Sequence, residues 1–231
     1  MRYTGGMERG EAAKRIDERY RYAQYASWPE DERWELIRGV AYSMSPAPRL
    51  SHQGLLRGLF LRIATYFEAK PCQAFVAPVD VFFPHSPDQD IGDVDTVVQP
   101  DILVVCDSAK LRDEGIWGAP DWLIEILSPH TKKKDLGEKF DLYETSGVRE
   151  YWVIDPGDQS LLIYRLAEGG RFSGGLSWEA TPRRNKAPAG SSDDPALLSR
   201  TDSDLRSPLD FPGLRIDLRD LFAAARVGTR A

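Results

Sequence analysis

Three acidic residues stand inside or at the ends of strongly apolar segments. Asp101 begins "DILVV", Glu125 lies within "WLIEILS", and Asp80 lies within "PVDVFF". Burying an unpaired carboxylate costs several kcal/mol, so such groups are usually paired, hydrogen-bonded or bound to a metal ion. If the strands of Asp101 and Glu125 are neighbours in one sheet, the two carboxylates can converge. Oxygen donors without a Cys/His cluster nearby favour Mg²⁺ or Mn²⁺ over zinc.

A simpler interpretation is that each acid caps a strand or pairs with a structural Arg or Lys. We favour this interpretation for Asp80. It is weaker for Glu125, because the residues on both sides of this acid are apolar. The metal-site hypothesis therefore rests on Asp101 and Glu125.

A polar stripe follows the segment that contains Glu125. Asp135, Lys139 and Tyr143 recur at every fourth residue, which places them on one face of a predicted helix. Taken alone, this spacing is typical of a solvated ion pair. If the helix packs over the carboxylates, the lysine could orient an attacking water and stabilise the charge that develops on a phosphate.

The overall charge limits how the chain could bind nucleic acid. It carries 30 basic and 36 acidic residues, for a net charge of −6, which argues against a protein that coats DNA by charge alone. A local basic run is nevertheless present at Lys132, Lys133 and Lys134. This run is either a solvated turn or a place where a phosphate backbone binds.

The apolar patterning predicts a mixed α/β domain that positions these residues. A hairpin is expected around Arg38 and Gly39, and a long helix follows it with Ser51 as N-cap. "VVQPDILVVCD" and "APDWLIEILSP" read as central strands, apolar on both faces. The segment with the polar stripe should be a helix that ends at Gly147, followed by a strand pair and a closing strand and helix.

Length and composition predict one domain that carries additional segments outside its core. Residues 1–20 are expected to form a flexible leader, and residues 21–231 a single domain with a low-complexity insertion at about 181–206. Cys72 and Cys106 are expected to be reduced core thiols. No segment has the length of a membrane span or the apolar core of a signal peptide, so a cytoplasmic location is expected.

The order of three segments resembles a known family. "VQPDILVVCD", "GAPDWLIEILSP" and "KKKDLGEKFDLYETSGVREYWVIDP" together resemble the Uma (Uma-two) family of endonucleases, long described as a domain of unknown function. The resemblance covers roughly residues 22 to 222 apart from the insertion. That family looks like a branch of the PD-(D/E)XK superfamily, which implies a restriction-endonuclease-like mixed β-sheet flanked by helices.

The resemblance also implies roles for individual residues. Asp101 is the acid of the "PD" element and Glu125 the acid of the second element, so both would bind Mg²⁺ or Mn²⁺. The superfamily's usual lysine lies two residues after the second acid, where this chain has Leu127. Lys139, on the following helix, is the best candidate for a migrated lysine. Glu35 could be a third metal ligand.

Other residues would support these from the periphery of the site. Asp135, Tyr143 and His52 are candidate supporting residues, and the lysine run at 132–134 is the candidate contact to nucleic acid. His52 could instead be a helix-start residue that hydrogen-bonds the backbone. Related folds often act as homodimers, so a homodimer is also conceivable.

Two main hypotheses follow from the sequence. The first is a metal-dependent endonuclease that hydrolyses DNA phosphodiester bonds. The second is a nuclease-like module that binds DNA or protein without catalysis, which the missing lysine and the acidic net charge favour. A structural homo-oligomer, whose buried acids simply pair with Arg or Lys, is a third.

Overall fold

The computed structural model describes residues 18–29, 32–44, 48–179, 204–206, 211 and 214–225. The predicted leader lies outside the described residues except for its last three. Of these, Tyr20 donates its backbone N–H to the Gly39 carbonyl at 2.8 Å, so this end of the leader lies against the hairpin turn. The predicted insertion likewise lies outside the described residues up to position 203.

The described residues form fourteen strands, five α-helices and two single-turn 3₁₀ helices at Ile91–Asp93 and Ser108–Lys110. The strands are β1 (Trp34–Ile37), β2 (Val40–Ser43), β3 (Gln73–Val76), β4 (Val81–Phe82), β5 (Val97–Val98), β6 (Ile102–Val105), β7 (Leu111–Arg112), β8 (Gly115–Trp117), β9 (Trp122–Ile126), β10 (Glu150–Asp155), β11 (Ser160–Leu166), β12 (Phe172–Glu179), β13 (Asp204–Arg206) and β14 (Arg215–Asp217). The helices are α1 (Tyr22–Tyr25), α2 (Leu50–Phe67), α3 (Lys132–Asp135), α4 (Glu138–Thr145) and α5 (Leu218–Ala224).

The strands are arranged in two six-stranded mixed sheets and one two-stranded ribbon. The first sheet has the order β2-β1-β5-β4-β8-β7, the second β12-β11-β10-β9-β6-β3, and β13 pairs with β14. In the second sheet, β9 runs parallel to β10, while β6 and β9 are antiparallel. The mixed α+β architecture is therefore as predicted, although the strands divide between two sheets.

The second sheet has a hydrophobic cluster on each face, because its central strands are buried on both sides. Period-two alternation turns one set of side chains towards α2 and α5 and the other towards α4 and the first sheet. The first set includes Ile102, Val104, Trp122, Ile124 and Ile126; the second includes Leu103, Val105, Leu123 and Leu127.

Two helix predictions need correction. The helix expected before Gly147 is divided into α3 and α4, because Gly137 has φ −123° and ψ −96°, outside the helical region. A Cβ at this position would lie 2.9 Å from the Lys133 carbonyl oxygen, so the break needs glycine. The N-cap prediction for Ser51 is also wrong, since α2 begins at Leu50 with Arg49 in the N-cap position and no side-chain cap.

The prediction of reduced thiols is wrong as well, because Cys72 and Cys106 form a disulfide. Gln73 and Val105 are registered partners in antiparallel β3 and β6. The two cysteines are the next residues outward on each side, so the strand pairing itself brings them together. The sequence could not show this register.

None of the helices within the described residues is both long and apolar enough to cross a bilayer.

Removal of the disulfide should lower the stability of the fold. The bridge joins residues 34 positions apart, and closing a loop of this size restricts the unfolded chain. A Cys72→Ala/Cys106→Ala variant should lose about 2–4 kcal/mol of unfolding free energy in urea titrations. Dithiothreitol should have the same effect on the wild type and none on the variant. Free thiols in the unreduced, denatured wild type would contradict the pairing.

Candidate active site

Asp101 and Glu125 are brought together by the pairing of β6 with β9. Ile102 is the registered partner of Ile124, so Asp101 and Glu125 occupy the next step along the two antiparallel strands. Alternation places Glu125 on the same face of β9 as Leu123 and Leu127, the face covered by α4. Glu125 is only 4% exposed. The acid inside the apolar strand therefore faces the helix with the polar stripe.

Glu125 receives two hydrogen bonds from α4. Lys139 Nζ and Tyr143 OH each donate to Glu125 Oε1 at 2.8 Å. Both side chains are buried. The polar stripe is thus not a solvated ion pair. It brings Lys139 to Glu125, although Leu127 occupies the position where the superfamily has its lysine.

Glu35, on β1 of the first sheet, lies on the other side of the same lysine. Its Oε1 is 2.8 Å from Lys139 Nζ and accepts the Gln99 backbone N–H at 2.9 Å. Its Oε2 accepts a hydrogen bond from Lys134. Glu35 is thus the counter-ion of two lysines, whereas the sequence predicts it as a third metal ligand.

Asp135 completes the set of carboxylates around Lys139. Its Oδ1 lies 3.8 Å from Lys139 Nζ and has no hydrogen-bond partner although it is buried. This oxygen is the least satisfied acceptor among the carboxylates of the site.

Asp101 is held by contacts to one of its oxygens. Its Oδ2 accepts the Ile126 backbone N–H at 2.7 Å and lies 3.2 Å from His52 Nε2. Burial lowers the pKa of His52, but the hydrogen bond and charge of Asp101 outweigh burial and raise it. His52 therefore contacts the predicted site rather than the backbone at the start of its own helix.

The basic run at 132–134 divides into a buried and an exposed part. Lys134 is buried against Glu35. Lys132 and Lys133 are exposed, and Lys132 Nζ lies 2.7 Å from Asp155 Oδ2. Of the three candidate contacts to nucleic acid, only these two lie on the surface.

The buried carboxylates differ strongly in acidity. Burial, together with the charges of Asp135, Asp101 and Glu35, raises the pKa of Glu125 from 4.5 to about 8 despite Lys139. Burial also raises the pKa of Asp135 to about 6. In Glu35, burial is outweighed by Lys134 and Lys139, which lower its pKa to about 2.

The hydrogen-bond donors of α4 are shifted too. Burial lowers the pKa of Lys139, but the surrounding carboxylates outweigh burial and hold it well above its usual value. Burial and the charge of Glu125 raise the pKa of Tyr143. Both groups therefore stay protonated near neutral pH and can donate to Glu125.

The donor chemistry of the site fits a hard divalent cation. Three carboxylates, those of Glu35, Glu125 and Asp135, lie around the ammonium groups of Lys134 and Lys139, and the buried Asp135 Oδ1 has no hydrogen-bond partner. Asp101 contacts His52 and the Ile126 N–H instead. Across the described part of the chain, no three acidic, histidine or cysteine side chains form a set of metal ligands. Mg²⁺ needs only one or two protein carboxylates when water and a substrate phosphate supply the rest. Asp101 and Glu125, at neighbouring positions of β6 and β9, provide two carboxylates.

Sequence reasoning missed two residues and one ion pair. Gln99 donates its backbone N–H to Glu35 and its Nε2 to Asp80 Oδ1 at 2.8 Å, and its place beside the "PD" element could have indicated a role. The pairing of Lys134 with Glu35 had no signal in the sequence. Glu150 is fully buried on β10, where burial raises its pKa to about 7 and Oε2 has no partner.

Known proteins resemble this chain in family and in fold. The Uma2 family, described as "Putative restriction endonuclease", matches residues 22–184. A similar solved structure is the crystal structure at 1.96 Å of "a putative nuclease belonging to DUF820" from Anabaena variabilis ATCC 29413. It is 20% identical, covers 89% of this chain and 99% of its own, and superposes with a TM-score of 0.58. This likeness confirms the predicted restriction-endonuclease-like fold. A comparison with curated proteins gives no match.

Replacement of Glu35 should be costly, because it leaves two buried ammonium groups without their shared carboxylate. Glu35→Gln is expected to lose about 3–5 kcal/mol of unfolding free energy at neutral pH. The pKa of Glu35 is lowered from 4.5 to about 2, so its contribution is present above the ordinary pKa and disappears as pH falls towards the lowered one. The difference in unfolding free energy between wild type and Glu35→Gln should therefore shrink as pH falls. Asp141→Asn, at an exposed acid on α4, is the matched control and should change stability by less than about 0.5 kcal/mol.

Glu125 should show the opposite pH dependence. Its pKa is raised from 4.5 to about 8, so between these values the folded state binds more protons than the unfolded state and its stability falls as pH rises. Glu125→Gln removes this penalty. The unfolding free energy of the variant, relative to wild type, should rise across this window by at least about 1.4 kcal/mol, the energy of one pKa unit. A difference that does not depend on pH would show that Glu125 is ionised throughout.

Proposed function

Because the chain belongs to the Uma2 restriction endonuclease family, we propose that it is a metal-dependent endonuclease that hydrolyses DNA phosphodiester bonds. The observation that carries this proposal is the contact of Lys139 with Glu125. Glu125 and Lys139 meet beside a second acid, Asp101. Glu125 comes from β9 and Lys139 from α4, whereas the superfamily's usual acid and lysine lie two residues apart on one strand. The family match and the nuclease-like fold support nuclease chemistry in general.

In this proposal Asp101 and Glu125 hold Mg²⁺ or Mn²⁺. Such an ion lowers the pKa of bound water and offsets the charge of the scissile phosphate, so no nucleophilic side chain is needed. The two carboxylates suit this role because their neighbouring strands are buried and fixed by core packing. DNA is the substrate, and the exposed Lys132 and Lys133 are the proposed contacts to its backbone.

Lys139 is the proposed catalytic cation. Its ammonium stays charged among the carboxylates, and a charge in a desolvated site stabilises a developing phosphate charge more strongly than in water. Glu35 holds this ammonium from the first sheet, and Lys134 balances the second oxygen of Glu35. Tyr143 donates to Glu125 and fixes the rotation of its carboxylate. Asp135 lies next to Lys139 and adds negative charge at the site.

A non-catalytic nuclease-like module is the second candidate. Lys139 and Glu125 are 3% and 4% exposed, and such deep burial favours a structural ion pair over an open catalytic centre. The net charge of −6 also limits nonspecific attraction to DNA. The two candidates differ in cleavage, which can be measured directly.

The test is nicking of supercoiled plasmid in the presence of Mn²⁺. Glu125→Gln, Asp101→Asn and Lys139→Met should each reduce the nicking rate by at least about 100-fold, because each removes a metal ligand or the catalytic cation. Asp141→Asn should retain wild-type activity, and circular dichroism should show that each variant is folded. Nicking by Glu125→Gln at the wild-type rate would exclude the proposed site. A folded wild type that binds DNA without cutting it would favour the second candidate.

A further inference from the structure

His52 is a polar residue on the buried face of α2. This face continues with Leu55, Leu59 and Ile63, which pack on the second sheet and fix the helix in place. His52 lies about one turn before Leu55, at the start of the helix, and is 9% exposed. The packing of α2 therefore determines where the imidazole of His52 lies.

The contact of His52 is directed at the oxygen of Asp101 that also accepts a backbone bond. His52 Nε2 lies 3.2 Å from Asp101 Oδ2, and the Ile126 N–H donates to the same oxygen at 2.7 Å. Because Oδ2 is the acceptor for the Ile126 N–H, we assign His52 Nε2 as the second donor to this oxygen. Two donors on one oxygen restrict rotation of the carboxylate, and neither contact uses Oδ1.

The other ring nitrogen shows that packing alone does not account for a histidine at this position. His52 Nδ1 is buried and has no hydrogen-bond partner. Leaving a buried polar atom unsatisfied is unfavourable, and an apolar side chain among the leucines of α2 would avoid it. What His52 offers in return is the Nε2 hydrogen bond to Asp101.

We propose that His52 is the positioning residue of Asp101, holding its carboxylate in the orientation that binds the metal ion. This inference rests on the proposed function, since it gives Asp101 the role of a ligand. Hydrogen-bond partners of ligating carboxylates orient the ligand, and their loss commonly weakens metal binding by about 10- to 100-fold.

Three variants separate hydrogen bonding from packing. In His52→Gln the amide nitrogen stands as many bonds from Cα as Nε2 does, so it can donate to Asp101. In His52→Asn the amide nitrogen stands only as far from Cα as Nδ1 and cannot reach. His52→Ala removes the ring. If the alanine variant does not fold, the Gln and Asn pair alone still tests the proposal, because both are polar and similar in size.

Calorimetric titration with Mn²⁺ is the first readout. His52→Asn and His52→Ala should bind the ion about 10- to 100-fold more weakly than wild type, while His52→Gln should stay within about threefold. Equal affinity in all variants would overturn the proposal. Equal losses in Gln and Asn would do the same, since they would show that donation from the Nε2 position does not matter.

Hydrogen exchange at the Ile126 amide is the second readout and needs no metal ion. This amide donates to Asp101 Oδ2, so its exchange should accelerate by about tenfold in His52→Asn and stay near wild type in His52→Gln. Unchanged exchange in both would overturn the proposal. If wild type binds no Mn²⁺ while the Ile126 amide responds as expected, the proposed metal site fails but the positioning of Asp101 by His52 stands.

Discussion

The ammonium of Lys139, shared between Glu35 and Glu125, is the interaction on which the site depends. Each distance is 2.8 Å, and all three side chains are buried. Glu35 belongs to the first sheet, Glu125 to the second, and Lys139 to the helix between them. Without the ammonium, the two sheets would bring carboxylates of the same charge together in a low-dielectric interior. One cation thus links three elements of the fold.

Burial and the charges around each carboxylate explain their different acidities. Glu35 accepts from two lysines and one backbone N–H and is held ionised, whereas Glu125 shares Lys139 and has a tyrosine as its second donor. Asp135 Oδ1 has no donor. Asp135 Oδ1 is therefore the buried carboxylate oxygen of the site without a hydrogen-bond partner, and the raised pKa of Glu125 means that a bound cation would have to displace a proton there. Glu35, by contrast, is already neutralised by two lysines.

Much of the site could be predicted because its members carry local signals. Glu125 stands out within an apolar strand, and Lys139 and Tyr143 share a helical period. The central strands and the hairpin could be predicted for the same reason, because their patterns are local in sequence. The pairing of Cys72 with Cys106 could not be predicted, since it depends on the register of two strands that are far apart in sequence. The division into two sheets is equally nonlocal.

The role of Glu35 and the burial of Lys134 depend on tertiary contacts as well. A run of three lysines looks alike whether its last member faces solvent or a buried acid, and only the approach of β1 decides between them. Burial of Glu150 followed from the position of β10 within the sheet. The sequence could thus indicate which side chains carry chemistry, whereas the ion pairs that restrain them required the fold.

The break at Gly137 has a geometric consequence for the two lysines that contact Glu35. In an unbroken α-helix, residues five positions apart are rotated by about 140° and point to different sides. Lys134 and Lys139 have this separation, yet both ammonium groups reach one carboxylate. The glycine shifts the rotational phase between the two short helices, so that side chains from separate turns converge. A single methyl group at position 137 would therefore change the directions in which the Lys134 and Lys139 side chains point, without contacting either ammonium group.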